Sequence, residues 1–236
     1  MRAIVWGRAM WLAVDIGNTR QHWGWFERGE LILAADYSPD YWDPSVFERA
    51  SQITVASVVP ARLERWQFYP KVRVLTLADV TLRGSYETLG IDRALNILGA
   101  GYRYGLPVLV VDFGTCITVT VAGTKGQLVG GCILPGFMMQ FRALHQQTAL
   151  LPEVTLPTTL PVPLASDTAS AIQSGVVKVT LAGLEQYLTA WRQAESRGKV
   201  VATGGDSALV CRWLPQLFDY QDAQLCLWGM YAAAHH

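Results

Sequence analysis

The sequence predicts an α/β protein built from two similar halves, and three observations carry that prediction. An apolar run, an Asp, a Gly two residues on and then Asn-Thr or Thr occurs twice, as Leu12-Ala13-Val14-Asp15-Ile16-Gly17-Asn18-Thr19 and as Leu109-Val110-Val111-Asp112-Phe113-Gly114-Thr115. The copies lie about a hundred residues apart, as expected of a duplicated half-domain. Each copy is followed by two more β-type runs around a tight polar turn, Glu27-Arg28-Gly29-Glu30 in the first and Gly123-Thr124-Lys125-Gly126 in the second. Beyond each meander, helical and β-branched stretches alternate. The expected halves are residues 1–106 and 107–236. A strand ending in Asp-x-Gly sets a carboxylate and a tight turn at a sheet's edge, where N–H groups meet phosphate and the Asp holds a cation. Two such turns lead us to expect a nucleotide cleft between the halves.

In order, residues 9–15 read as a buried strand, and 21–26 and 31–35 as the strands of an antiparallel meander. Residues 43–50 read as a helix, 53–58 as a β-branched strand, 61–68 as a short helix and 72–75 as another strand. This β-β-β-α-β-α-β order is that of a ribonuclease-H-like unit. The second half restarts with strands at 108–112, Cys116–Ala122 and 127–134. A helix at 137–150, a proline-rich link at 152–163 read as an extended surface segment or flap, and a long helix at 167–192 follow. Residues 200–202 form a strand ending in Thr203-Gly204-Gly205-Asp206, and 223–234 a closing helix. The fold class is therefore two duplicated ribonuclease-H-like domains, mixed sheets flanked by helices.

Composition narrows the function. Apolar residues make up 51% and charged ones 16%, so the chain buries a large core and disorder is not expected. Lys+Arg and Asp+Glu balance at 19 each, which gives no electrostatic footprint for nucleic acid or an anionic membrane. A small-molecule substrate is expected. Cys116, Cys132, Cys211 and Cys226 form no C-x-x-C pair and stand among apolar or small residues, as reduced, mostly core thiols do, so no zinc site is expected. Gly7 and Arg8 interrupt the leading apolar stretch too soon for a signal sequence, and no apolar run is long enough to span a bilayer, so a cytoplasmic protein is expected. Trp23, Trp25, Trp42, Met138, Met139 and Phe141 read as packing rather than a ligand surface, and His22 and His145 have no partner at metal-ligand spacing.

Three segments carry chemistry. Asp15-Ile16-Gly17-Asn18-Thr19 offers polar side chains and backbone donors to terminal phosphates, with Asp15 reaching Mg²⁺ through water because that ion keeps much of its hydration shell. An ordinary hairpin turn is the alternative for either Asp-x-Gly copy alone. Asp92 and Arg93, after Tyr86-Glu87-Thr88-Leu89-Gly90-Ile91, fall at a helix start. There Asp92 either caps the helix or accepts a proton from a substrate hydroxyl, with Arg93 a fork for a substrate carboxylate and Tyr86 lining the pocket.

Taken with Gly130-Gly131-Cys132-Ile133-Leu134-Pro135-Gly136, these segments closely resemble type III pantothenate kinases, of the actin, hexokinase and Hsp70 ATPase superfamily. The resemblance runs over about residues 12 to 231. It implies ATP-dependent phosphorylation of pantothenate to 4'-phosphopantothenate, the first step towards coenzyme A. By position it implies Asp92 as catalytic base, Tyr86, Gly90, Ile91, Asp92, Arg93 and Thr168 around pantothenate, and Asp15, Ile16, Gly17, Asn18, Thr19, Arg20, Gln21, His22 and Thr115 around ATP. Asp112 would stand at a site for K⁺ or NH₄⁺, with Mg²⁺ also required, and the protein would be a homodimer. Thr203-Gly204-Gly205 resembles the family's adenosine-side loop. The chain departs from the family pattern at Cys116 and Ile117, at Thr120, where the family is frequently acidic, and at Glu87, where many members have Pro. Two alternatives stay open: another phosphotransferase of this superfamily, acting on a sugar or small acid, and a non-catalytic regulatory homologue.

Overall fold

All of β1 (Met10–Ile16) is buried except half-buried Asp15. An unbroken apolar run of this kind suits a strand covered on both faces. In the computed structural model, which describes residues 10–235, β1 is the middle of a five-stranded sheet. Residues 1–8, read as lacking a signal sequence, and residue 9, the expected start of the first strand, lie outside the described residues, as does His236.

β2 (Gln21–Glu27) and β3 (Glu30–Tyr37) run antiparallel on one side of β1. Their hairpin turns at Arg28 and Gly29, both with positive φ (52° and 86°), which matches the twist of paired strands. On the other side β4 (Ala50–Ser57) and β5 (Val72–Val74) pair in parallel, giving the order β3-β2-β1-β4-β5.

The helices of this half are shorter than expected. α1 spans only Val46–Arg49, because Asp43 caps a turn at Ser45 and Ala50 is drawn into the ladder beside Met10. The stretch read as one helix over 61–68 splits into a 3₁₀ turn, Pro60–Arg62, and α2 (Glu64–Gln67), since Pro60 opens the turn and too few residues follow to propagate a helix. Trp23 and Trp66 meet edge to face in the core with centroids 5.7 Å apart, and Trp42 packs on Trp66 at 4.9 Å, so these rings are packing, as expected.

The second sheet repeats the plan. β6 (Val108–Phe113) is central, β7 (Cys116–Ala122) and β8 (Leu128–Pro135) form the antiparallel meander, and β9 (Lys199–Thr203) and β10 (Tyr220–Gln221) pair in parallel on the far side. Strand for strand this is the order of the first sheet, so the duplicated α/β architecture is as expected.

α3 (Ile91–Tyr104) precedes this sheet, and α4 (Phe137–Gln146) and α5 (Thr168–Ala194) pack on it. α4 stops short of residue 150, where Leu150 is exposed and offers no apolar face to bury. Asp167 caps α5 by accepting the Ser170 N–H at 2.9 Å, and Ile172, Val176, Leu181, Leu184 and Leu188 give it a buried stripe. The proline-rich link has no regular structure. It is tied to the core, with Val154 buried and the Ser174 hydroxyl donating to the Val162 and Pro163 carbonyls. A short α6 (Ser207–Trp213) and β10 were not legible beforehand.

Two compact units result: Tyr104–Ala223, and the chain up to Arg103 joined by Gln224 onwards. The sequence halves put the closing helix, α7 (Leu225–His235), with the second sheet. It packs instead on β1, β2 and β4 of the first, apolar nearly all round and crossing α3 where Gly99 and Gly229 bring the two backbones together. The four cysteines form no disulfide, yet only Cys226 is buried; Cys116, Cys132 and Cys211 are half-buried, which corrects the expectation of mostly core thiols.

Candidate active site

In the first unit, β1 delivers Asp15 to the sheet's end and the chain turns through Gly17–Arg20. The Gly17 N–H donates to the Arg20 carbonyl at 2.9 Å, and a Cβ on Gly17 would lie 3.2 Å from that oxygen, so a larger residue would crowd the turn. Asn18 and Thr19 are exposed at its tip.

The carbonyls of this loop are held from one side by the segment after β4. Ile16 O accepts from the Val58 N–H and the Ser57 hydroxyl, both at 3.2 Å. Gly17 O and Asn18 O both accept from Arg62 Nη1, at 2.8 and 3.0 Å. In a trans peptide the C=O and N–H point opposite ways, so the Asn18 and Thr19 N–H groups face away from Arg62. The loop thus has a carbonyl side bound to Arg62 and an amide side facing away from it, the form of an anion-binding concavity.

The neighbouring residues of β2 serve the frame. Gln21 is fully buried, donating to the Pro39 and Tyr41 carbonyls and accepting from Trp23 Nε1. His22 lies opposite Asp15, its ring nitrogens engaged by Asp36 and Gln224, and Arg20 pairs with Asp36 at 2.9 Å.

At the start of α3, Gly90 O accepts the Ala94 N–H, which puts Gly90 in the cap position and Asp92 inside the first turn. Asp92 Oδ1 accepts the Arg93 N–H at 2.8 Å, and a Cβ on Gly90 would collide with that oxygen. Glycine therefore leaves the space the carboxylate fills. Burial pushes the Asp92 carboxyl above its ordinary range, opposed by the Arg93 N–H and guanidinium. Arg93 is itself buried and donates to the half-exposed Tyr86 hydroxyl at 3.0 Å. The structure thus gathers Tyr86, Gly90, Asp92 and Arg93, with a proton acceptor of raised affinity beside a fixed cation.

In the second unit, Asp112 holds the place in β6 that Asp15 holds in β1. Its neighbours in register are Thr118 on β7 and Thr203 on β9. The turn here is only two residues, Gly114 and Thr115, closed by Gly114 N–H to Cys116 O at 3.1 Å and by Gly136 N–H to Thr115 O at 3.0 Å. Gly204 has φ +88°, and a Cβ there would strike Asp112 Oδ1 and the Phe113 backbone. The loop after β9 therefore closes over the carboxylate only because residue 204 has no side chain. Thr168 begins α5 and is exposed.

Among the described residues no three His, Cys, Asp or Glu side chains gather as a metal cluster. A lone carboxylate at a strand end fits an ion that keeps its waters and takes phosphate oxygens, as Mg²⁺ does, and not a dehydrating protein cage. Arg62 and the closeness of Gly204 to Asp112 were missed by sequence reasoning. The signal for the first was Val59-Pro60 just after a strand, which turns the chain back towards the loop.

Comparisons with known proteins bear on the family and the fold. The model of the type III pantothenate kinase family matches residues 11–190. A type III pantothenate kinase of Gloeobacter violaceus is 55% identical over 95% of this chain and 98% of its own, and one of a Nostoc species is 37% identical over 93% and 92%. Among solved structures, a Campylobacter jejuni protein named for the Baf family of transcriptional activators superposes with TM-score 0.67 at 22% identity, covering 94% of this chain and 96% of that one. An activator of 2-hydroxyisocaproyl-CoA dehydratase from Clostridium difficile, with bound ADPNP, gives 0.52 at 10% identity over 95% and 94%. These two likenesses speak for the actin-like ATPase fold alone. The family match and the identities establish that this chain belongs to the type III pantothenate kinase family.

Proposed function

We propose that the chain transfers the γ-phosphoryl group of ATP to the terminal hydroxyl of pantothenate, giving 4'-phosphopantothenate and ADP, the first step of coenzyme A synthesis. The observation that carries this is the half-buried Asp92 in the first turn of α3, with Arg93 and Tyr86 hydrogen-bonded beside it, in a chain so similar to named pantothenate kinases. Asp92 accepts the hydroxyl proton as the hydroxyl oxygen bonds to the γ-phosphorus and the bond to the β,γ-bridging oxygen breaks. Burial makes Asp92 a stronger base than a solvated carboxylate. Arg93 fixes the pantothenate carboxylate, with Tyr86, Gly90 and Ile91 lining the pocket.

The segment from Asp15 to Arg20 receives ATP, with Asn18 and Thr19 offering N–H groups to phosphate and Gln21 and His22 framing it from β2. Asp15 would hold Mg²⁺ through water and Asp112 a K⁺ or NH₄⁺ ion; such cations neutralise charge on the transferring phosphoryl group. The protein's own share is alignment, which together with charge neutralisation supplies most of the rate in phosphoryl transfer.

We read the enzyme as a cytoplasmic homodimer. β8 is an edge strand with Val129 and Ile133 exposed, and beside it α5 exposes Val179 and Tyr187 around an apolar groove of about 340 Å³. A second copy covering this edge accounts for it. An ADP-release assay with pantothenate and a panel of sugars, with and without potassium, tests the reading of the reaction. Pantothenate-dependent, potassium-stimulated turnover is expected; turnover on sugars alone, or none, refutes it.

A further inference from the structure

We propose that Arg62 is a positioning residue for phosphate binding: from behind the first Asp-x-Gly loop it holds the Gly17 and Asn18 carbonyls and so aims the Asn18 and Thr19 N–H groups at the triphosphate. The inference rests on the reading of this loop as the ATP phosphate site.

Three features support it. One nitrogen, Arg62 Nη1, takes both carbonyls, at 2.8 and 3.0 Å, so a single group sets the tilt of two successive peptide planes. Left to the turn alone, either plane could rotate and present oxygen to an anion, which would repel it. The base from which Arg62 reaches is itself fixed. Ser57 Oγ donates to Ile16 O and accepts the Val59 N–H at 2.9 Å, and Pro60 opens the 3₁₀ turn that carries Arg62. Finally, the guanidinium charge is only loosely countered. Asp40 lies 3.6 Å from Nε with its side chain 84% exposed, a pair that water largely screens. A positive charge therefore remains directly behind the phosphate-facing amides.

A purely structural arginine would weaken binding of every part of the nucleotide alike. A positioning role singles out the phosphates. The test is calorimetry on the full chain with magnesium-ATP and, separately, adenosine, for wild type, Arg62→Met and Arg62→Lys. Arg62→Met is expected to bind ATP about 10- to 100-fold more weakly with adenosine affinity within about twofold, from loss of charged hydrogen bonds that act only at the phosphate end. Arg62→Lys, which keeps the charge and a donor nitrogen on a shorter side chain without the planar fork, is expected in between.

Unchanged ATP affinity in Arg62→Met, or equal losses for ATP and adenosine, overturns the proposal. If Arg62→Met does not fold, Arg62→Lys decides: an ATP-selective loss supports the proposal and its absence overturns it. Wild-type protein that binds ATP without phosphorylating pantothenate sinks the substrate reading and leaves Arg62 standing. Wild-type protein that does not bind ATP sinks both.

Discussion

The crossing of α3 and α7 gives a prediction whose size follows from the structure. At Gly229 a Cβ would stand 2.6 Å from the Leu95 carbonyl carbon and 3.0 Å from Leu95 Cα, and closer still to Leu95 O. Carbon atoms pack best at about 3.5 to 4 Å, so Gly229→Ala requires the helices to part by on the order of 1 Å. The obstacle is backbone, and no rotamer change relieves it. Overpacking of this kind costs about 1 to 3 kcal/mol. The better helix propensity of Ala returns up to about 1 kcal/mol. A net loss of about 1 to 2 kcal/mol lowers the melting temperature by about 2 to 8 °C in a chain of this length. The first turn of α3 carries Asp92 and Arg93, so kcat falls as well, by up to about a hundredfold for an ångström of misplacement. Thermal melting by near-UV circular dichroism beside steady-state kinetics checks both. Gly175→Ala is the matched control: nothing lies within 4 Å of its Cβ position, and the added methyl should stabilise by about 0.5 to 1 kcal/mol. Gly229→Ala melting at or above the wild-type temperature refutes the close-crossing argument.

Asp92→Asn should lower kcat by about 10²- to 10⁴-fold while calorimetry still finds ATP binding, as removal of a general base requires. Because burial raises the Asp92 pKa, the acid limb of the wild-type kcat profile should fall above the ordinary carboxylate range. The same shift means that the Asp92 contribution to stability is full at low pH and lost as pH rises from the unfolded value through the folded one. Asp92→Asn should therefore melt relatively higher above that window than below it. Gly204→Ala should destabilise the second unit by about 1 to 3 kcal/mol, from a strained positive φ and collision with Asp112, and a melt unchanged from wild type would contradict this. Asp79, held below its ordinary pKa by Arg73 and by the Thr76 N–H and hydroxyl, contributes stability above the unfolded carboxylate value that is lost as pH falls through the folded one. Asp79→Asn should cost no more than about 1 kcal/mol at neutral pH, given the solvent exposure of its partner Arg73, and nothing in strong acid by chemical denaturation.

What the sequence disclosed depended on whether the signal was local. The repeated Asp-x-Gly turns, the meanders and the long α5 were legible because strand and helix periodicity and turn residues are written in consecutive positions. The helix expected over residues 43–50 ends at Arg49 because Ala50 is claimed by a parallel neighbour forty residues earlier, a pairing no window can see. Helix α7 went to the wrong unit for a like reason: its uniform apolarity announces burial but not the partner, which Gly99 and Gly229 decide in space. At the site, Asp15, Asp92 and Asp112 stand out as carboxylates in motifs. Arg62 does not, because its work is done on backbone oxygens and demands no motif of its own.

The two halves share strand order, and in each the aspartate is the last residue but one of the central strand, yet the loops after it are built differently. The first keeps four residues out of the ladder and fixes their carbonyls with Arg62, which suits presenting N–H groups. The second is cut to two residues, and Gly204 closes down on the aspartate itself, which suits holding a carboxylate still. Duplication supplied one scaffold twice. The division of labour, amides in one half and a fixed anion in the other, comes from what the chain places behind each turn: a long cation in the first and a residue without a side chain in the second. Exchanging the two devices should therefore damage both halves, since an arginine has no room above Asp112 and a glycine at 62 would release the carbonyls of Gly17 and Asn18.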